Sequence, residues 1–427
     1  MKLVIIGGGS YVFAPMAIHD AIEAARLAGS EIVLVDVDAD VLQAMGNYAK
    51  SMAKTLGVDI KVSMETDRKK ALPGADFVIM SAVVQGAKRW LTDFEILKGY
   101  GIAHLNRENG GVGGLSYGMR QIKLVMDICA DMEACCPDAV FLDASNPMPM
   151  LVNAINNHTK FTAYGFCSVA WRAPDGYRWL ANMLGRDKDE ISAVSAGLNH
   201  FSWFMSIRDK KTGEDLYDEA VKQLMAGSGA ETDTIKRWYV KYGAIIAGGV
   251  DHHAEYLPYD PEIKVADHVP FHGSGSERQD RITLLKDVAN GKKDYKEALL
   301  HGSWEHPVLL ADAIYNKKTV NFDMINVQNK GYIKGLPDGL TVEVPVSVVN
   351  GAVQPSVFDS MPDRLLNLLR GVAKFQNMAV SAIVKKDINL LKNVIDEDDA
   401  ILPDEKEKAK TALMDVIRAH NDLINWM

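Results

Sequence analysis

Three consecutive glycines, Gly7, Gly8 and Gly9, follow a short apolar run at 3–6 and precede a stretch with helical apolar spacing from about Phe13 to Ala28. A strand, a glycine turn and a helix in that order make an anion site. Gly7 permits the tight turn, Gly9 lets a pyrophosphate approach the helix N-terminus, and the unpaired N–H groups and dipole there favour negative charge. The third glycine position of the pattern is occupied by Val12, so the turn alone also fits another nucleotide. Asp36 narrows the choice. It closes the next apolar run, EIVLVD at 31–36, where a carboxylate accepts hydrogen bonds from ribose hydroxyls and repels a 2′-phosphate, which favours NAD over NADP. Asp38 reads as a solvated neighbour.

A second chemical group stands by itself. Cys167 sits in the apolar stretch YGFCSVAW, 164–171, with no other cysteine or histidine within a few positions. A thiol so placed is more often an apolar core group than a ligand, and His200, taken alone, reads as a core histidine. Cys129, Cys135 and Cys136 have no framework spacing, and the adjacent pair cannot easily bridge, so reduced thiols and a cytoplasmic location are expected.

The elements that must position these groups alternate. Runs at 3–6, 31–36, 75–80 and 139–147 read as strands, with helical patterns between them and from Met119 to Cys135; Asn146-Pro147 sets a turn. This alternation predicts an α/β fold with an N-terminal doubly wound parallel sheet. Beyond about 190 the pattern becomes mixed, with helical stretches at 230–247, 361–384 and 404–424 and a strand-like run at 341–349. We therefore expect a cofactor domain over 1–194 and a mixed α/β domain over 195–427. No linker separates them.

The chain has 427 residues, 48% hydrophobic and 24% charged, which excludes a disordered or fibrous class. A net charge of −9 without a concentrated basic run lacks the footprint of a nucleic-acid or anionic-membrane binder. The apolar run before the glycines is too short for a secretory signal, and no stretch is long enough to span a bilayer. A small-molecule partner is the remaining class.

Several stretches together resemble the family 4 glycoside hydrolases, NAD- and metal-dependent enzymes that share their fold with lactate and malate dehydrogenases. They are IGGGSYVF at the turn, GADFVI with Arg89 and Glu95 downstream, GYG followed by GGVGG at 110–114, CPDAVFLDASNPM at 136–148, GFC at 165–167, GLNHFSWF at 197–204, EYLPY at 255–259 and NVQNKGYIKGLPDGLTVEVPV further on. The landmarks keep the family's order over nearly the whole chain. The resemblance implies that Cys167 and His200, 33 positions apart, hold a divalent metal, usually manganese. It implies that Gly7, Gly9, Ser10, Phe13, Asp36 and Asn146 serve NAD, and that Arg89, Glu95, Asn146 and Asn199 touch the sugar. It gives Tyr256 the role of base, although a phenol needs a nearby cation to lower its pKa for that work. The homo-oligomer expected by the same likeness is a dimer or tetramer.

The chemistry so implied is an oxidation–elimination hydrolysis of a small glycoside, in the first instance an α-glycoside. NAD takes hydride from C3, a base removes the C2 proton, the glycosidic oxygen leaves, water adds, and the hydride returns. One position departs from the pattern: most members carry His, Asp or Asn after the metal cysteine, and this chain has Ser168. A serine hydroxyl is a poor acid near neutral pH, which leaves His252 and His253 as alternative proton donors. Two other readings compete, a lactate/malate-type dehydrogenase, for which the expected His-Asp relay is not found, and a catalytically silent NAD-binding homologue.

Overall fold

Leu3 to Ile6 are all buried, and they alternate between two cores: Leu3 and Ile5 face one, Val4 and Ile6 the other. A strand apolar on both faces must be covered on both, which is the signature of a parallel sheet between helical layers. The computed structural model describes residues 1–167, 169–171, 177–263, 275–299 and 305–426. In chain order its main elements are β1 (Lys2–Ile6), α1 (Ala14–His19), β2 (Glu31–Val35), α2 (Ala39–Leu56), β3 (Lys61–Glu65), β4 (Phe77–Met80), α3 (Gly86–Gly99), α4 (Gly111–Cys135), β5 (Val140–Asp143), α5 (Met148–His158) and β6 (Ala163–Gly165). There follow β7 (Ile191–Leu198), β8 (Phe201–Asp209), α6 (Gly275–Ala289), β9 (Val320–Gln328), β10 (Thr341–Val349), β11 (Ala352–Pro355), α7 (Asp363–Lys385), α8 (Ile388–Glu397) and α9 (Lys406–Ala419).

One sheet runs through the molecule in the order β3-β2-β1-β4-β5-β6-β9-β10-β7-β8, with β11 beside β10. The first six strands are parallel, the doubly wound half expected from the alternation. From β6 outward every pairing is antiparallel, and this is the mixed half. Helix α7 then returns across α4 and α5, and α9 packs on α3 and α4, so the end of the chain covers the first half. Among the described residues no helix is long and apolar enough to cross a membrane.

Local chemistry explains the boundaries. Asp38 is the N-cap of α2, its carboxylate accepting from Asp40 N and Val41 N, rather than a solvated neighbour. The helical pattern at 230–247 stops at Tyr242, because Gly243 takes the left-handed conformation that ends a helix (φ 85°). The apolar residues after it extend instead, and Ile246 bridges Trp203 of β8. The periodicity there came from burial, not from helix.

Candidate functional site

The turns that leave β1, β4, β5 and β6 lie at one edge of the parallel sheet, where the crevice between β1 and β4 marks the reversal of strand order and so the expected ligand position. A cavity of about 840 Å³ opens there, lined by Gly7, Gly9, Ser10, Asp36, Ser81 and Gln85 among others. Asp36 has a role within the protein itself. Its Oδ2 accepts from Gly9 N at 3.0 Å and its Oδ1 from Asp38 N at 3.1 Å, so the carboxylate pins the glycine turn to the end of β2. A Cβ on Gly9 would sit 2.7 Å from Asp36 Oδ2, which is why this position excludes a side chain. Ser10 Oγ accepts from Phe13 N at 3.1 Å and closes the turn, while the Phe13 ring packs on the core instead of lining the cavity. At the rim, Arg278 of α6 forms an ion pair with Asp38.

A second cluster forms where three loops meet. The first is the segment 106–109 ahead of α4. It folds back on the helix start so tightly that a Cβ on Gly113 would lie 2.7 Å from Asn106 and one on Gly110 2.6 Å from Glu255 O. The GGVGG run therefore exists to let this loop pack. The second is the helical turn Val250–His253 with the 3₁₀ turn Ala254–Tyr256. The buried Arg107 guanidinium clamps it to the first loop, donating to the carbonyls of Ala254 and Glu255 at 2.9 Å each and of Leu257 at 3.3 Å. The third is the two-residue tip Asn199–His200 between β7 and β8, closed by the pair Leu198–Phe201. His200 has φ 63°, a left-handed conformation usually left to glycine or asparagine in such a turn.

Ligand atoms of Glu108, His200 and Glu255 all lie within 4.8 Å of one another. Asn109 joins them, its Nδ2 3.0 Å from Glu255 Oε2 and 3.1 Å from His200 Nδ1. Asn146 Nδ2 donates to Glu108 Oε2 at 3.0 Å, tying the end of β5 to the cluster. Burial and the repulsion of Glu255 push Glu108 up to about 8, and burial likewise raises Glu255. Burial and the neighbouring His252 hold His200 well below its ordinary value, so it is a neutral imidazole at pH 7. His252 stands at about 8: burial opposes its charge, but Asp251 at 2.9 Å and the carboxylates of Glu255 and Glu108 outweigh that. His253 is enclosed, its ring nitrogens 2.9 Å from Ser202 O and 3.1 Å from Gly249 O, and so has a framework role.

Cys167 follows β6. Burial, Glu305 and Glu343 raise its thiol well above the ordinary value, while the Asn199 side chain beside it works the other way. Tyr256 OH donates to Asn199 O at 3.0 Å, and burial with Glu255, Glu343 and Cys167 nearby raises the phenol too. Asn199 thus lies beside Cys167 and accepts from Tyr256, and His200 Nδ1 stands 4.0 Å from Glu255 Oε2; Cys167 is not among the ligand atoms gathered within 4.8 Å of His200. Two expected substrate residues lie elsewhere. Arg89 donates to both oxygens of Asp422, binding α3 to the end of the chain, and Glu95 is exposed on α3. Ser168 lies outside the described residues. Glu108, Asn109, Glu255 and the clamp Arg107 were not singled out from the sequence. The signal was there: a charged residue and an amide directly before a four-glycine run that nothing but close packing requires.

The profile described as Family 4 glycosyl hydrolase matches residues 2–175, and that of the Family 4 glycosyl hydrolase C-terminal domain matches 195–398. An alpha-galactosidase of Bacillus subtilis (strain 168) is 28% identical over 431 residues, covering 99% of this chain and 97% of its own. The solved structure of a 6-phospho-beta glucosidase from Thermotoga maritima with manganese, NAD+ and glucose-6-phosphate superposes with a TM-score of 0.75 at 19% identity over 99% of each chain. Outside that family, a malate dehydrogenase of Plasmodium falciparum shares the fold at a TM-score of 0.52, with 14% identity over 92% of this chain and 99% of its own.

Proposed function

We propose that the chain, which belongs to the family 4 glycosyl hydrolases, cleaves a small α-glycoside, with NAD in the glycine-turn cavity and a divalent cation, manganese, on Cys167 and His200. The observation that carries the reading is the gathering of two carboxyl groups, Glu255 buried and Glu108 half-buried, around a neutral imidazole. Such a group disfavours its own full ionisation and so attracts a cation, and the hard oxygen and imidazole donors suit manganese. Glu108 and Glu255 add their charge beside His200, and Cys167 adds a thiolate. The cavity at Gly7 to Ser10, with Asp36 at its edge, fits a dinucleotide.

Bound NAD supplies a hydride acceptor for a sugar carbon, and a metal charge polarises the oxygen beside it. The chain's own residues do the rest. Asn109 Oδ1 and Asn199 Oδ1 are buried and have no partner among the described residues, and each accepts a hydrogen bond from a sugar hydroxyl. Tyr256 is the base at C2. Its proton rests on the Asn199 carbonyl, and a cation opposing Glu255 and Glu343 shifts the phenol in the direction a base requires. His252, charged near neutral pH and held by Asp251, carries the proton for the leaving oxygen in the place of a stronger acid at 168. The α configuration follows the alpha-galactosidase likeness.

A panel of aryl α- and β-glycosides, plain, 6-phosphorylated or oxidised at C6, assayed with NAD, Mn2+ and a reductant, tests this reading. We expect hydrolysis of an α-glycoside with no net NADH. NADH accumulating from a 2-hydroxy acid would replace it with a dehydrogenase, and cleavage of β-glycosides alone would overturn the anomeric assignment.

A further inference from the structure

A row of residues crosses the sheet between the two proposed metal ligands. Gly165 of β6 pairs with Asn326 of β9, Asn326 with Glu343 of β10, and Glu343 with Gly197 of β7. Cys167 lies two residues past one end of this row, and Asn199 two past the other. The strands that carry the pair are thus not neighbours, and β9 and β10 set their separation.

Glu343 is the one carboxylate in that row and is fully buried. Three side chains donate to it: Ser202 Oγ at 2.6 Å, Asn326 Nδ2 at 3.0 Å and Asn199 Nδ2 at 3.2 Å. Burying a carboxylate is expensive unless it is well hydrogen-bonded, and a sheet interior needs none for cohesion. The donors are not spread evenly. Two of them flank His200, Asn199 on the strained hairpin tip and Ser202 at the start of β8, and the third comes from the strand beside β6. The Asn199 amide that Glu343 holds is also the one whose presence beside Cys167 favours the thiolate.

We propose that Glu343 is a positioning residue, which locks the Asn199–His200 tip to β9 and β10 so that the Asn199 amide and the His200 imidazole keep a fixed relation to the Cys167 sulfur. The inference rests on the metal-site reading of the preceding section. Outer-shell carboxylates that orient first-shell ligands contribute about 10–100-fold to metal affinity.

The test is Mn2+ and NAD binding to the full-length protein by calorimetry, with melting followed in parallel. Glu343→Gln keeps the size but replaces an acceptor-only group with one that carries its own N–H donors. We expect about 10-fold or greater weakening of Mn2+ binding with NAD binding unchanged, since the glycine-turn cavity does not involve β10. Ser202→Ala removes the shortest of the three bonds and leaves the charge, so it should weaken Mn2+ binding in the same direction and by less. It carries the test if Glu343→Gln does not fold. Wild-type Mn2+ affinity in a folded Glu343→Gln protein, or in Ser202→Ala where Glu343→Gln is unfolded, would overturn the proposal. So would a parallel loss of Mn2+ and NAD binding that follows the fall in melting temperature, which is the mark of a purely structural residue. Wild-type protein that binds no Mn2+ would instead sink the metal-site reading itself, and Glu343 with it.

Discussion

Removing the charge of Glu108 should stabilise the metal-free protein while damaging the site. Enclosure beside Glu255 raises this carboxyl from an ordinary 4.5 to about 8. Between those values the unfolded chain ionises and the folded one holds its proton, so stability falls as pH rises, by about 1.4 kcal/mol per pH unit. Glu108→Gln does not titrate and escapes this loss, while its carbonyl can still accept from Asn146. Relative to the variant, wild type should therefore lose about 1 kcal/mol by pH 5 and about 4 kcal/mol by pH 8. Glu108 keeps some solvent contact, and screening trims the second figure to about 2–4 kcal/mol. Urea midpoints at pH 5 and 8, without metal, measure the gap. Saturating Mn2+ should close it by stabilising wild type more than the variant. Parallel stability curves for the two proteins over this range, or a variant that is weaker at pH 8, would refute the electrostatic account of the cluster.

Three further outcomes follow from the geometry. Gly9→Ala drives a Cβ against a carboxylate held by two backbone N–H groups, so calorimetry should show NAD binding weakened about 10–100-fold, with Mn2+ binding intact; unaltered NAD affinity would mean that the turn does not carry the cofactor. His200→Ala and His200→Gly both lose the imidazole, but only glycine relieves the left-handed backbone, and the glycine variant should be about 1 kcal/mol more stable in urea; equal midpoints would show the tip to be unstrained. Arg107→Ala removes the one nitrogen, Nη1, that donates to all three carbonyls of the turn, together with the Nε bond to His104 O, and should cost about 3 kcal/mol of stability; a loss below about 0.5 kcal/mol would remove Arg107 as the clamp.

What the sequence disclosed was local, and what it hid was not. The glycine turn and Asp36 could be read because a strand, a turn and a helix follow one another within about 35 residues, and each has its own periodicity. Four of the six parallel strands follow from the same alternation; β3 was missed because Lys61–Glu65 exposes much of one face and its apolar signal is thin, and β6, Ala163–Gly165, because three residues carry no periodicity. The hairpin β7–β8 was missed for the opposite reason. Burial on both sides erases the two-residue alternation, and the bulge between Val194 and Ser195 shifts its phase. The proposed metal ligands could be named only by likeness, since Cys167 and His200 are separated in the sheet by two strands that enter the chain more than a hundred residues later. Glu343 did leave a mark: a lone carboxylate in TVEVPVSVV, at a position where a strand with apolar faces has no place for one.

Turnover in heavy water tests the oxidation–elimination account most directly. Proton NMR of the sugar released by wild-type protein with NAD and Mn2+ should show deuterium at C2, because Tyr256 or solvent in exchange with it returns that proton. Hydrolysis that leaves C2 fully protiated would contradict the account, whatever cofactors are bound.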